Sequence, residues 1–232
     1  MAVTEMRPSG REAQPEDYTG PGLGLRRAAA IFSRTFSARV LAPLVLVFAG
    51  VRIALGGWSR WDAVVLAAIL GLQPFTEWVI HVTVLHWKPR TIGRLTVDPL
   101  GARRHRQHHR DPKVLGLVLV PRPVLIATCL AQVPFYLLVA PTVRLAFMAM
   151  LVSSAMYLTY EWTHFLIHST YRPRSRYYRY VYRAHRLHHF RNEKYWFGVT
   201  VHVADHAFRT FPAKDAVPVS DTAFSLGVGD SR

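Results

Sequence analysis

Four long apolar runs alternate with polar, strongly basic stretches along the chain. The first covers residues 40–56 and is interrupted by Arg52, which can snorkel from near one end of a span. The second covers 63–86. A third stretch, 114–140, is broken by Pro121-Arg122-Pro123, so that 124–140 is the part expected to cross a bilayer. The fourth covers 145–168. Each approaches the roughly 20 residues a transmembrane helix needs. The links GGWSRWD and APTVR are short, so consecutive runs pair as two helical hairpins. The predicted fold class is all-α, an integral membrane protein with about four transmembrane helices. Residues 1–25 are polar and rich in Pro and Gly and read as a disordered tail. Residues 26–39 read as a basic, interfacial helix, 40–214 as the membrane domain and 215–232 as a C-terminal tail.

Charge gives these runs a direction. The chain carries 29 Lys+Arg against 14 Asp+Glu, a formal charge of +15, while half of it is hydrophobic. The short links hold only Arg60 and Arg144. Segment 87–113 holds eight Lys+Arg and segment 169–214 holds ten. The positive-inside rule therefore puts both long segments in the cytosol, and this asymmetry explains much of the charge without any nucleic acid. The N-terminus does not read as a secretory signal: about 39 residues, many charged, precede the first apolar run. The single cysteine, Cys129, excludes an intramolecular disulfide and, inside an apolar run, reads as a packing residue.

Histidine changes the picture most. None of the 12 occurs before residue 81. They form HVTVLH (81–86), HRQHH (105–109), HFLIH (164–168), HRLHH (185–189) and HVADH (202–206). The first and third clusters end the second and fourth apolar runs, and the second and fourth follow shortly after, so all gather at one membrane face. An internal repeat reinforces this: TEWVIHVTVLHW at 76–87 resembles YEWTHFLIHST at 160–170, and each is followed by an HxxHH. Each hairpin thus delivers one set of five histidines, ten in all. On a helix, i, i+3 and i+4 share a face, so His105, His108 and His109 converge, as do His185, His188 and His189. His164 and His168 point the same way. His81 and His86, five apart, lie about 140° around an ideal helix, which suits two ions better than one or requires a local distortion. Ten imidazoles are too many for one ion and suit two; imidazole favours iron, zinc, copper or nickel.

Glu77 and Glu161 are candidates for accepting a ligand's ring N–H. His202 and His206, with Asp205 between them, fall outside the repeat and read as surface or supporting groups more readily than as ligands. A phosphate-binding patch accounts for the arginines but not for histidines that are mostly neutral at pH 7. A cation transporter would place polar or broken helices near mid-bilayer, whereas these candidates collect at one face.

With these motifs in order, the stretch from about 72 to 212 resembles the fatty acid hydroxylase superfamily, which includes membrane sterol desaturases and carotenoid hydroxylases. EWVIHVTVLHWKP resembles the first box of the fatty acid 2-hydroxylases, HHRDPKVLGLVLVPRP the segment after the second, and HHFRNEKYWFGVT with Asp205 the fourth box and its downstream Phe-Gly and Asp. The resemblance implies a membrane anchor under a cytosolic helical cap with a dinuclear site. It implies ligation by His81, His86, His105, His108, His109, His164, His168, His185, His188 and His189. It further implies two iron ions (zinc in isolated protein), O2 as co-substrate and a lipid substrate hydroxylated near its carboxyl end, or a carotenoid or sterol at the same depth. No HPGG haem motif of a fused cytochrome b5 domain is present, so a separate cytochrome b5- or ferredoxin-like carrier is expected to supply electrons.

Overall fold

A computed structural model describes residue 20 and residues 22–229; most of the tail expected over 1–25 lies outside the described residues. Helix α1 (Leu25–Phe32) is short. It is followed by α2 (Phe36–Ala54), and by α3 (Arg60–Ile80), which continues into a π-helical turn at His81–Leu85. A two-stranded hairpin, β1 (Arg90–Ile92) and β2 (Leu95–Val97), leads into α4 (Leu100–Arg110). Then come α5 (Leu115–Val118), α6 (Arg122–Val139), α7 (Val143–His168), α8 (Arg176–Phe190) and α9 (Val203–Ala207). The architecture is mostly helical. Among the described residues, four stretches are long and apolar enough to cross a membrane: Phe36–Ala54, Arg60–Leu85, Leu115–Val139 and Val143–His168. Their outward side chains stay uncovered, with Leu138 86% and Leu46 71% exposed. Apolar surface on this scale calls for lipid around it. α7 is the central helix and packs against α2, α3 and α6.

Three details depart from the sequence expectation. The stretch 26–39 is two pieces, because Thr35 accepts a hydrogen bond from the Ala38 N–H and caps a new helix, making 36–39 the first turn of α2. The all-α expectation misses the β1–β2 hairpin, where Arg90 pairs with Val97 and Ile92 with Leu95 across a turn at Gly93. Gly93 has φ +61°, the positive value a two-residue hairpin turn requires. Arg52 does not snorkel. It is fully buried, its guanidinium 2.8 and 2.5 Å from Asp62 Oδ1, 2.8 Å from the Gly56 carbonyl and 3.8 Å from the Trp58 ring centre. This clasp joins α2 to α3 at the end opposite the histidines.

Residues beyond α9 fold back. Val217, Ala223 and Leu226 are buried, and the Ser220 N–H donates to the Arg191 carbonyl. The segment 217–226 therefore lies over the end of α8, where it reaches the histidines.

Candidate metal centre

The ten box histidines converge as two groups of five. His81, His86, His105, His109 and His188 form one; His108, His164, His168, His185 and His189 form the other. Within each group the available ring nitrogens all lie within 4.8 Å of one another. Nearly all these side chains are buried.

Two features of the grouping follow from helix geometry. His81 and His86 share a group because the backbone between them is a π turn: the His86 N–H donates to the His81 carbonyl, i to i+5, at 3.1 Å. The wider turn removes the 140° offset, so the distortion, not division between two ions, is what the chain adopts. π turns of this kind recur at functional sites. The groups also cross the sequence repeat. At 100° per residue, His105 has His109 about 40° to one side and His108 about 60° to the other. His105 and His109 stay with the first hairpin's box while His108 faces the second, and His188 crosses in the opposite sense. The expectation that each hairpin's five histidines form one set therefore fails, since the i+3 member of each HxxHH faces away from its i and i+4 partners.

The ring nitrogens suit a cation. His81 Nδ1 lies 2.6 Å from the Phe197 carbonyl, His109 Nδ1 2.8 Å from that of Ala223 and His188 Nδ1 2.8 Å from that of Tyr195. A carbonyl only accepts, so each Nδ1 carries the hydrogen and each Nε2 presents a lone pair. The Nε2 atoms of His81 and His109 both face His105 Nε2, at 3.1 and 3.2 Å. One hydrogen on His105 cannot serve both well. In the other group, Nε2 atoms follow one another from His189 to His185 at 3.0 Å, to His168 at 3.0 Å and to His108 at 3.2 Å. Two nitrogens bound at right angles, each about 2.0–2.1 Å from one ion, stand about 3 Å apart. The buried Nε2 atoms of His86 and His188 have no hydrogen-bond partner among the described residues. The donor sets thus fit metal ions better than they fit each other.

Burial also keeps these rings neutral. It pushes His109 and His188 down to about 3, and it holds His86, His105, His108, His185 and His189 well below the ordinary imidazole value, with the charge of neighbouring histidines adding to the effect. Neutral imidazole is the form that ligates.

The two glutamates act one step further out. Glu77 accepts from the N–H groups of Val199 and Thr200, from the Thr200 hydroxyl at 2.5 Å and from Gln73 at 2.8 Å. Glu161 accepts from the Val120 N–H at 3.2 Å. Their bonds go to loops and to helix side chains, not to histidine rings, and backbone carbonyls take the histidine hydrogens instead. Asp205 is the other organiser. It accepts from the N–H groups of Phe197 and Gly198 (2.9 and 2.8 Å), from the Thr210 hydroxyl (2.6 Å) and from His202 Nδ1 (2.8 Å). Burial raises its pKa, but these bonds outweigh that and hold it below the usual carboxylate range. Loop 196–200 is thereby fixed between Asp205 and Glu77, with the Phe197 carbonyl aimed at His81. Gly198 is required here: a Cβ would meet the Val201 carbonyl at 2.3 Å. His202 and His206 fall outside both groups; His206 Nε2 pairs instead with the Tyr180 hydroxyl at 2.7 Å.

The model of the fatty acid hydroxylase family matches residues 66–210, well over half of the chain. The chain belongs to the fatty acid hydroxylase family. It is 31% identical over 147 residues to mouse fatty acid 2-hydroxylase, covering 62% of this chain and 38% of that protein. The rat fatty acid 2-hydroxylase is 30% identical over 156 residues, covering 65% and 40%. The chain therefore spans about two-fifths of the length of these relatives. A solved structure described as full-length Scs7p, with only the hydroxylase domain visible, superposes with a TM-score of 0.65 at 21% identity, over 89% of this chain and 72% of that one. All ten box histidines of this fatty acid hydroxylase family member lie inside the matched stretch. Ala223 lies beyond it.

The carbonyls of Tyr195, Phe197 and Ala223 were not legible in the sequence, because any residue supplies a carbonyl. Only Gly198, in the Phe-Gly pair, signalled the tight loop that aims one of them.

Proposed function

We propose that this chain is an oxygen-dependent membrane hydroxylase that inserts a hydroxyl group into a lipid C–H bond, on a fatty acyl chain near its carboxyl end. The observation that carries this reading is the pair of five-histidine groups at the ends of two candidate membrane spans. An unactivated C–H bond has no acidic proton, so acid–base groups alone cannot break it and a redox metal is needed. His81, His86, His105, His109 and His188 would hold one ion, and His108, His164, His168, His185 and His189 the other. The ions, read as iron, supply the reduction and activation of O2 when bound. Overall, one C–H bond, O2, two electrons and two protons give one C–OH and one water, and the electrons come from a separate cytochrome b5- or ferredoxin-like carrier.

The chain's own groups prepare the site. The Tyr195, Phe197 and Ala223 carbonyls fix the Nδ1–H tautomer and the ring orientation of their histidines. The Phe197 ring, 5.3–5.5 Å from the rings of His81, His86 and His188, gives the first group an apolar wall that limits water. In this reading, α2–α3 and α6–α7 are two transmembrane hairpins, α4 and α8 cap them, and the basic segments place the cap in the cytosol. Ligands at the ends of spans lie near headgroup depth, where the first carbons of an acyl chain from the same leaflet also lie.

Lipid profiling of cells with and without the protein tests this. The wild type is expected to add hydroxylated acyl chains and the His108→Ala variant to lose them. A lipid profile identical for the wild type, the variant and empty cells refutes it.

A further inference from the structure

The chemistry assigned to the histidines leaves one adjoining cavity unexplained. Its volume is about 590 Å³, within the range of small-molecule sites. His168 of the second histidine group forms part of its wall. So do Lys113 from the turn after α4, Arg172 from the turn after α7, and Arg186 from α8. Among the described residues, no carboxylate lines it. Arg186 is seated between two aromatic rings that also line the cavity, 5.4 Å from the Tyr182 centre and 5.0 Å from the Phe190 centre. Arg172 and Arg186, two guanidinium groups on one cavity wall, make a local field that favours an anion. Arginine donors arranged on a rigid support are the groups that best bind carboxylate and phosphate oxygens.

We infer that this cavity binds the anionic head of the lipid substrate, a carboxylate or phosphate held by Arg172 and Arg186 with its acyl chain directed past His168. The inference rests on the hydroxylase reading and sharpens it. An anion held in a cavity that His168 borders brings the carbons next to the head to the second histidine group, and carbons far down the chain cannot reach it. Position along the chain would then be set by the head, not by the length of the tail.

The test uses the full chain in nanodiscs with three probes: palmitate, dipalmitoyl phosphatidic acid and the neutral methyl palmitate. The wild type is expected to bind one of the two anions at least about tenfold tighter than the ester, since one charge-assisted pair is worth about that factor. Preference for palmitate assigns a free carboxylate, and preference for phosphatidic acid a phosphate headgroup. The R172Q/R186Q variant is expected to bring the preferred anion to the affinity of the ester, with ester binding unchanged. If that variant does not fold, the wild type decides alone: raising salt from 0.1 to 1 M should weaken the anion and leave the ester. Equal binding of all three probes, or equal weakening of all three in the variant, overturns the proposal. Anion preference without any hydroxylated product refutes the hydroxylase reading and leaves the site standing. Hydroxylated product at wild-type level in R172Q/R186Q, together with no anion preference in the wild type, refutes the site and leaves the hydroxylase reading standing.

Discussion

The two histidine groups share α4 and α8 but are held differently. In the first, three rings are tied by Nδ1 to backbone carbonyls of Phe197, Ala223 and Tyr195. In the second, the close contacts run from ring to ring, and the Nδ1 atoms of His108, His185 and His189 have no hydrogen-bond partner among the described residues. A ring whose outer nitrogen is tied has its tautomer and direction set before an ion arrives. The first group is therefore preorganised by chain that lies after α8, whereas in the second a backbone carbonyl, that of Pro112, reaches His168, and His108, His185 and His189 rely on the ions and on helix packing to set their rings. Losing an outer partner of this kind typically costs about 10–100-fold in metal affinity.

That difference is open to attack at several points. The strongest is Gly198→Ala, which forces a Cβ onto the Val201 carbonyl and displaces the loop that carries the Phe197 carbonyl. A chelator titration should show one metal-release phase weakened by up to about 100-fold and the other unmoved. Both phases moving together would mean that the groups are not separately supported. Truncation after Val217 removes the Ala223 carbonyl from His109 and should weaken the same phase by about tenfold.

Acid should loosen the site through the protons its rings refuse. His109 and His188 are held at about 3 when folded, against about 6.5 for free imidazole. Between those values the unfolded chain binds more protons than the folded one, so stability rises with pH across that window. Lowering the pH from 7 to 5 should cost each of these rings on the order of 2 kcal/mol in metal-free protein, read as a fall in Tm. A Tm independent of pH over that range contradicts the burial described. The smallest effect on the comparison should come from the far end of the spans. Asp62→Asn strands the buried Arg52 and should lower stability by about 3 kcal/mol, yet leave both metal-release phases in the same ratio.

Much of this was legible beforehand. The four apolar runs, the ten box histidines and their gathering at one end all came from hydropathy and spacing. The π turn did not, although the five-residue interval from His81 to His86 signalled that some distortion was needed. The exchange of His108 and His188 between groups was hidden, because an HxxHH box shows that three rings share a broad face and not which neighbour each one meets. Thr35 and Gly93 carried local signals for a helix start and a hairpin turn within stretches whose average composition pointed to helix or loop. Arg52 was misread as snorkelling because its partner, Asp62, becomes a neighbour only when α2 and α3 pack.

The central claim is the crossed composition of the two groups, and metal content per chain in paired variants tests it most directly. His86 and His188 belong to one group here, while His164 and His188 belong to different ones. Elemental analysis of purified protein should find two ions in the wild type, one in H86A/H188A, which leaves one group with three rings, and two in H164A/H188A, which leaves four rings in each. The reverse outcome, two ions in H86A/H188A and one in H164A/H188A, would show that each hairpin binds its own ion and that the crossing is wrong.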